Sequence, residues 1–344
     1  MYLYNSTIIP YLQAFNPQVG SFARITAVFA IINYMENVIE VQNLKKTYPL
    51  PNGKGVLKAV DNISFSVGKG EIFGILGPNG AGKTTTLEII ECLKPQTSGD
   101  VKVLDLDNIK SADEIKQQIG VQLQSSQYLH HLSLGELLDL FASFYGKAAD
   151  KKQLLGLVNM EEKEQAEFAD LSGGQKQRFT IASSLVNEPK ILFLDEPTTG
   201  LDPKARRDMW QLIKTINARG ITIILTTHYM EEAEFLCSRV AIMDEGRILE
   251  IDEPKKLIDR MSDTTQISFF TENKIAPGLF KSIPEIKKIS ASYPKTILEI
   301  TNLDKISAVV NLLKQNNIIF YGFTVKTATL EDVYLDLTGK QYEE

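Results

Sequence analysis

At 344 residues the chain has length for two domains, each able to bury a core of its own, and a composition 43% hydrophobic and 23% charged is too polar for a protein that spans a membrane several times. Its 37 basic and 43 acidic side chains leave a net charge of −6, and the basic ones come in pairs such as Lys45-Lys46 and Lys287-Lys288 rather than in runs, which argues against nucleic acid as the main partner. Two cysteines, Cys92 and Cys237, lie far apart in segments that read as helix; they imply neither a disulfide framework nor a cysteine metal site and fit a reducing compartment.

Residues 1–34 are expected to be an upstream extension outside the fold. Their most apolar part, Ala27 to Ile32, lies between Arg24 and Asn33 and falls well short of the roughly 20 apolar residues of a spanning helix. Residues 1–10 contain no Lys or Arg, so they lack the basic start of a secretory signal. Met35 opens a run in which an alternating strand begins at once, over residues 38–44. A loop over residues 49–55, with Asn52-Gly53 as its turn signal, leads to a strand at 62–67 and then to the nearly all-apolar strand 71–76. Similar buried strands recur at 191–194 and 221–225, alternating with helical segments as a parallel sheet with crossovers requires.

The stretch from about 133 to 184 is helical in pattern without a convincing strand and reads as a helical subdomain inserted into the sheet domain. After Asp252-Glu253-Pro254 the character changes. Strands at 266–270, 286–291, 296–301 and 318–326 surround a helix whose apolar face is Ile306, Val309, Val310 and Leu313. These segments predict a small α+β domain of ferredoxin-like order, ended by a helix with Leu330, Val333, Tyr334 and Leu337 on one side. The expected fold is therefore α/β over residues 35–260, carrying the helical subdomain, with an α+β accessory domain over 261–344.

Directly after the strand 71–76 comes Gly77-Pro78-Asn79-Gly80-Ala81-Gly82-Lys83-Thr84, with a helix to follow. Glycines let backbone N–H groups converge on phosphate oxygens, and the helix start adds its positive end. Lys83 is placed to neutralise β- and γ-phosphates, Thr84 to hold Mg²⁺, and Thr85 lies beside them. The alternative, a glycine-rich turn that binds nothing, does not account for an eight-residue match between strand and helix. Ile191-Leu192-Phe193-Leu194-Asp195-Glu196 delivers two acids at the carboxyl end of a strand, where open α/β sheets bind ligands. Asp195 suits a Mg²⁺ shell and Glu196 a general base for an attacking water. A solvated acidic turn is the competing reading, weakened by the phosphate loop upstream.

Leu171-Ser172-Gly173-Gly174-Gln175 supplies a second anion site, a hydroxyl and two bare backbones at a helix start. A chain with a phosphate loop of its own needs a second one if it closes over the nucleotide of another subunit. On these residues the sequence resembles the ABC ATPase family, over roughly residues 38–256. The resemblance implies ATP and Mg²⁺ as cofactors, a P-loop NTPase fold, a homodimer and a separate membrane permease. It further implies that Gln124, flanked by Gln122 and Gln127, contacts Mg²⁺ and water and faces the permease, and that Thr199-Gly200-Leu201-Asp202 communicates across the dimer. His228 matches the histidine that touches the γ-phosphate, and Tyr48, following the first strand, the aromatic that stacks on adenine. His130 and His131 have no such context and read as solvated or packing residues.

Residues 328–339 are similar to the ending of ATPase subunits from drug and antibiotic exporters of the daunorubicin-resistance type. The resemblance implies a cytoplasmic subunit, peripheral on the inner face of the membrane and without a span of its own. Two other classes fit less well. ATPases of the family that act on ribosomes or DNA carry paired cassettes or long coiled coils, whereas this chain has one phosphate loop, one signature and no sustained heptads. A nucleotide sensor without turnover would not need Lys83, Asp195, Glu196 and His228 together.

Overall fold

The computed structural model describes residues 36–50, 55–122, 131–261, 265–301 and 303–340. The expected extension at 1–34, the Asn52-Gly53 turn, Gln124, Gln127 and His130 lie outside the described residues.

A long hairpin of β1 (Asn37–Pro49) and β2 (Val56–Gly68) leads to β3 (Ile72–Leu76), the phosphate-type loop and α1 (Lys83–Ile90). There follow β4 (Ser98–Val103), β5 (Leu106–Asp107), α2 (Ala112–Lys116) and β6 (Ile119–Gln122). Three helices come next, α3 (Leu134–Phe144), α4 (Lys151–Leu157) and α5 (Gly173–Ser183), and then the alternation resumes with β7 (Ile191–Asp195), α6 (Pro203–Asn217), β8 (Thr222–Thr227) and α7 (Met230–Leu236). The hairpin β9 (Arg239–Asp244) and β10 (Arg247–Asp252) and the helix α8 (Pro254–Met261) follow. The last part comprises β11 (Thr265–Thr271), β12 (Ile286–Ser292), β13 (Lys295–Ile300), α9 (Ile306–Gln315), β14 (Phe320–Lys326) and α10 (Leu330–Thr338).

Three sheets result. The first, β2-β1-β4-β5, is antiparallel; the second, β10-β9-β3-β8-β7-β6, is parallel apart from β10; the third has the order β12-β13-β11-β14. Helix α1 lies between the first two sheets, where Leu87, Ile89 and Ile90 join Ile39, Phe73, Phe193 and Ile224 in one core. On the opposite face of the second sheet, α3 to α7 bury a second core around Leu76, Leu192, Leu194, Phe179 and Ile213. β3, β7 and β8 are buried along their whole length, and burial on both faces explains why their central residues are apolar in runs rather than alternating.

Strand boundaries moved where pairing extended them. β1 runs to Pro49, because β2 begins at Val56 and pairs with it through the register Tyr48↔Leu57 and Pro49↔Val56. Tyr48 therefore lies within the strand rather than after it. β8 starts one residue later than expected and continues through Thr226 and Thr227. Neither cysteine is inside a helix: Cys92 follows α1 at φ 60° and Cys237 caps α7. Both are free thiols. Among the described residues the helical insert carries only an isolated bridge, Ser133 to Glu167.

The third sheet is antiparallel and, counted from β11, has the strand order of a ferredoxin-like unit. A short 3₁₀ segment, Pro277–Ser282, stands where that order usually has its first helix. Its core of Ile267, Phe269, Leu298, Val309 and Leu313 is its own. The closing helix is not part of that core. Leu330, Val333 and Tyr334 of α10 pack with Leu236 and Leu257 in the core of the second sheet. The Leu330 N–H donates to Glu234 Oε1 at 2.9 Å, and Lys340 Nζ lies 3.1 Å from Asp244 Oδ2 and 2.8 Å from Glu245 Oε1.

Candidate active site

Parallel register places three strand ends side by side: Leu76 pairs with Thr227, and Asp195 with Thr226. The loop after β3, the two acids of β7 and the turn after β8 thus share one carboxyl edge, where such sheets bind ligands. The loop wraps tightly because two glycines have no room for a side chain. A Cβ on Gly77 would stand 2.1 Å from Met243 O, and Gly82, which heads α1 at φ 102°, would bring one to 2.3 Å from Ala59 O. Pro78, Asn79 and Gly80 lie on the open rim while Ala81 and Lys83 are buried. The Gly246 N–H donates to Ala81 O at 2.9 Å and ties the loop to the β9–β10 turn.

Lys83 Nζ donates to Gly77 O at 2.8 Å and to Pro78 O at 3.1 Å, and it stands 3.6 Å from Glu196 Oε1. Burial pushes the Lys83 pKa down, and the Glu196 and Asp195 carboxylates oppose that shift. Asp195 moves the other way, raised by burial, with the hydroxyls of Thr226 and Thr84 restraining the rise. Both hydroxyls bind the same atom: Thr84 Oγ1 is 3.3 Å from Asp195 Oδ1, and Thr226 Oγ1 donates to it as well. Thr85 follows in the first turn of α1, half-buried.

Glu196 sits at φ +48°, a conformation that costs a non-glycine residue about 1–3 kcal/mol and clusters at functional sites. Its N–H donates to Thr226 Oγ1 at 3.0 Å, and Thr199 Oγ1 donates to its Oε2 at 3.1 Å. His228 Nδ1 lies 3.4 Å from Glu196 Oε1. His228 and Lys83 therefore meet around one carboxylate oxygen of Glu196.

Ser172 heads α5 with a complete capping box: the Gln175 N–H donates to Ser172 Oγ at 3.4 Å and the Ser172 N–H to Gln175 Oε1 at 3.0 Å. Ser172 and Gly173 are exposed, and a Cβ on Gly174 would be 3.7 Å from Ala205 Cβ, beside the start of α6. Asp202 caps α6. Its Oδ1 accepts from the N–H groups of Lys204 and Ala205, both at 2.9 Å, and the Ala205 and Lys204 bonds hold its pKa low. Tyr48 is on β1 of the first sheet, with Lys46 Nζ 5.1 Å from its ring centre. His131 is exposed, the solvated of its two expected readings.

Sequence reasoning missed Thr226 and Glu232, and it named Thr199 only as part of the loop ending at Asp202, not as the donor to Glu196. The tail of β8, two hydroxyls closing an apolar strand, was a signal for the first. Glu232 precedes the buried Leu236 by one helical turn and so lies on its inward stripe; it accepts from Thr198 Oγ1 at 2.8 Å and Trp210 Nε1 at 2.9 Å.

Comparison with known proteins bears on this arrangement. The family described as ABC transporter matches residues 60–199. The chain is 35% identical over 314 residues to a Nod factor export ATP-binding protein I of Paraburkholderia xenovorans (strain LB400), covering 90% of this chain and 99% of that one. It is 33% identical to the linearmycin resistance ATP-binding protein LnrL of Bacillus subtilis (strain 168), covering 88% and 99%. Among solved structures, a dimeric ATP-binding cassette in a post-hydrolysis state with ADP and Pi aligns with TM-score 0.57 and 30% identity, over 62% of this chain and 98% of its own. The family match spans the phosphate loop and the Asp195-Glu196 pair, and the two relatives align over 90% and 88% of the chain, so this chain belongs to the ABC transporter family, as an ATP-binding and ATP-hydrolysing subunit.

Proposed function

We propose that the chain powers export through a separate membrane permease, two copies closing head to tail over two Mg-ATP molecules. Each nucleotide is held between Lys83 of one copy and Ser172 of the other. The observation that carries this reading is that one chain holds two anion-binding helix starts. Gly82 heads α1 over the buried Lys83, whereas Ser172 heads α5 at the surface and its capping bonds are local. An exposed, finished anion site has use for a phosphate brought by another subunit. The names of the two relatives, one for export and one for resistance, support the export direction. Among the described residues no helix is long and apolar enough to cross a membrane. In this reading the chain is peripheral on the inner face of the cell membrane, and the surface near Gln124 meets the permease.

The residues act as follows. Loop N–H groups and Lys83 neutralise the β- and γ-phosphates, with Tyr48 against adenine. Glu196, fixed by Thr199 and Thr226, takes the proton of the water that attacks the γ-phosphorus, and His228 contacts the γ-phosphate beside it. Thr84 and Asp195 place a hydroxyl and a carboxylate 3.3 Å apart, an oxygen donor pair of the kind Mg²⁺ takes, with Gln124 as a third ligand. When bound there, Mg²⁺ supplies positive charge for the phosphate oxygens. We assign residues 35–260 to the ATPase unit, 133–184 within it to the helical subdomain, and 261–344 to the accessory unit, whose last helix docks back.

Glu196→Gln tests the reading because it keeps shape and removes the base, a type of catalysis contributing about 10²–10⁴ in rate. ATP still binds, hydrolysis stops, and light scattering shows an ATP- and Mg²⁺-dependent doubling of mass. Adding Ser172→Arg fills the α5 anion site and abolishes the doubling while ATP binding persists. A double variant that dimerises as well as Glu196→Gln alone refutes the head-to-tail site.

A further inference from the structure

Glu196 and His228 reach the phosphate edge from different chain segments. Glu196 opens the loop that feeds α6, and His228 follows β8 into α7. A buried acid lies behind both. Glu232 of α7 is wholly covered, and its Oε1 accepts from Thr198 Oγ1 at 2.8 Å and Trp210 Nε1 at 2.9 Å. Thr198 stands two residues after Glu196, and Trp210 is on α6. Burial raises the Glu232 pKa, and the hydroxyls of Thr227 and Thr198, the Trp210 indole and the Arg206 charge oppose the rise. Thr227 directly precedes His228, and its Oγ1 accepts from the Tyr229 N–H at 2.9 Å, which shapes the turn holding the histidine. Arg206 lies over the Tyr229 ring at 3.8 Å, and that ring is 4.1 Å from the His228 ring.

Core packing alone does not account for an acid here. A leucine fills a similar volume without the cost of taking a carboxyl out of water, so what distinguishes the acid is the set of donors it joins. These donors come from the Glu196 loop and from α6.

We infer that Glu232 is a positioning residue for hydrolysis: it accepts from Thr198 while its own helix carries the His228 turn, and so fixes the base loop against the histidine. The inference rests on Glu196 as base and His228 as phosphate contact. Small displacements matter at such a site, since about 1 Å of misplacement costs roughly 10²-fold in rate.

The test measures ATP turnover, ATP affinity and melting temperature on the full chain. Thr198→Val removes the loop's donor at nearly constant volume; it lowers kcat by about tenfold or more with ATP affinity unchanged within about twofold. Trp210→Phe removes only the α6 donor; it lowers the melting temperature and leaves kcat in place. Glu232→Gln keeps an acceptor oxygen and retains most turnover, whereas Glu232→Leu loses as much as Thr198→Val. Combining Thr198→Val with Glu232→Leu costs no more than either alone, because both break one tether. If Glu232→Leu does not fold, the contrast between Thr198→Val and Glu232→Gln decides. The inference is overturned if Thr198→Val changes only the melting temperature, or if the two losses multiply. Glu196→Gln in the same assay separates the two failures. Turnover surviving there removes the base assignment itself, while an inactive Glu196→Gln beside a fully active Thr198→Val removes only the tether.

Discussion

Glu91, at the end of α1, is almost wholly buried with Oε1 unpaired, and burial, aided by Asp195 and Glu88, pushes its carboxyl from an ordinary 4.5 up to about 8. Between those two values the folded chain keeps a proton that the unfolded chain has released. The associated stability is complete below pH 4.5 and is lost as pH rises through about 8, at up to about 1.4 kcal/mol per pH unit. Glu91→Gln is a neutral isostere and escapes this loss. Its melting temperature should exceed that of the parent by a margin that widens from pH 5.5 to pH 8, as about one proton of linkage requires. Equal margins at both would show that Glu91 ionises normally in the folded chain. Glu91 was invisible in the sequence, as were Thr226 and Glu232, because each owes its environment to strands or helices distant along the chain. The phosphate loop and the Asp195-Glu196 pair were readable because their residue types and their strand contexts are contiguous.

At the level of elements, periodicity identified the closing helix, with Leu330, Val333 and Tyr334 on one side, but gave no address for that face. The address is α7 and α8 of the ATPase core. Leu330 and Leu313 are both fully buried, one in each core, and truncation of a buried leucine to alanine costs about 2–5 kcal/mol. Leu330→Ala should therefore lower the unfolding midpoint of the nucleotide-binding core, followed by the protection ATP gives against denaturant. Leu313→Ala should leave that transition unchanged and weaken only the third sheet. Equal effects of both on the ATP-protected transition would mean that the two cores unfold as one. Strand ends were the least readable feature: whether β1 stops at Leu44 or Pro49 depends on how far β2 accompanies it, which no local pattern states.

Across the whole molecule the chain leaves the ATPase core after α8, builds the third sheet and comes back as α10. A fragment ending at residue 261 consequently lacks part of the core it was expected to contain. Removing residues 265–326 and bridging the gap with a flexible linker of about 12 residues should preserve folding and ATP affinity, since linker length adds little to closure cost. Simple truncation after 261 should lower the melting temperature. If the truncated and bridged chains melt alike, α10 contributes nothing to the core.

The return of α10 also sets an order in time. Synthesis runs from the N-terminus, and domains tend to fold as they emerge. Here the apolar faces of α7 and α8 wait bare while the entire third sheet is translated. Lys340, the partner of the Asp244-Glu245 turn that leads through Gly246 to the phosphate loop, arrives later still. The nascent ATPase core thus has a period of exposed apolar surface whose duration is set by the length of a module with a hydrophobic core of its own.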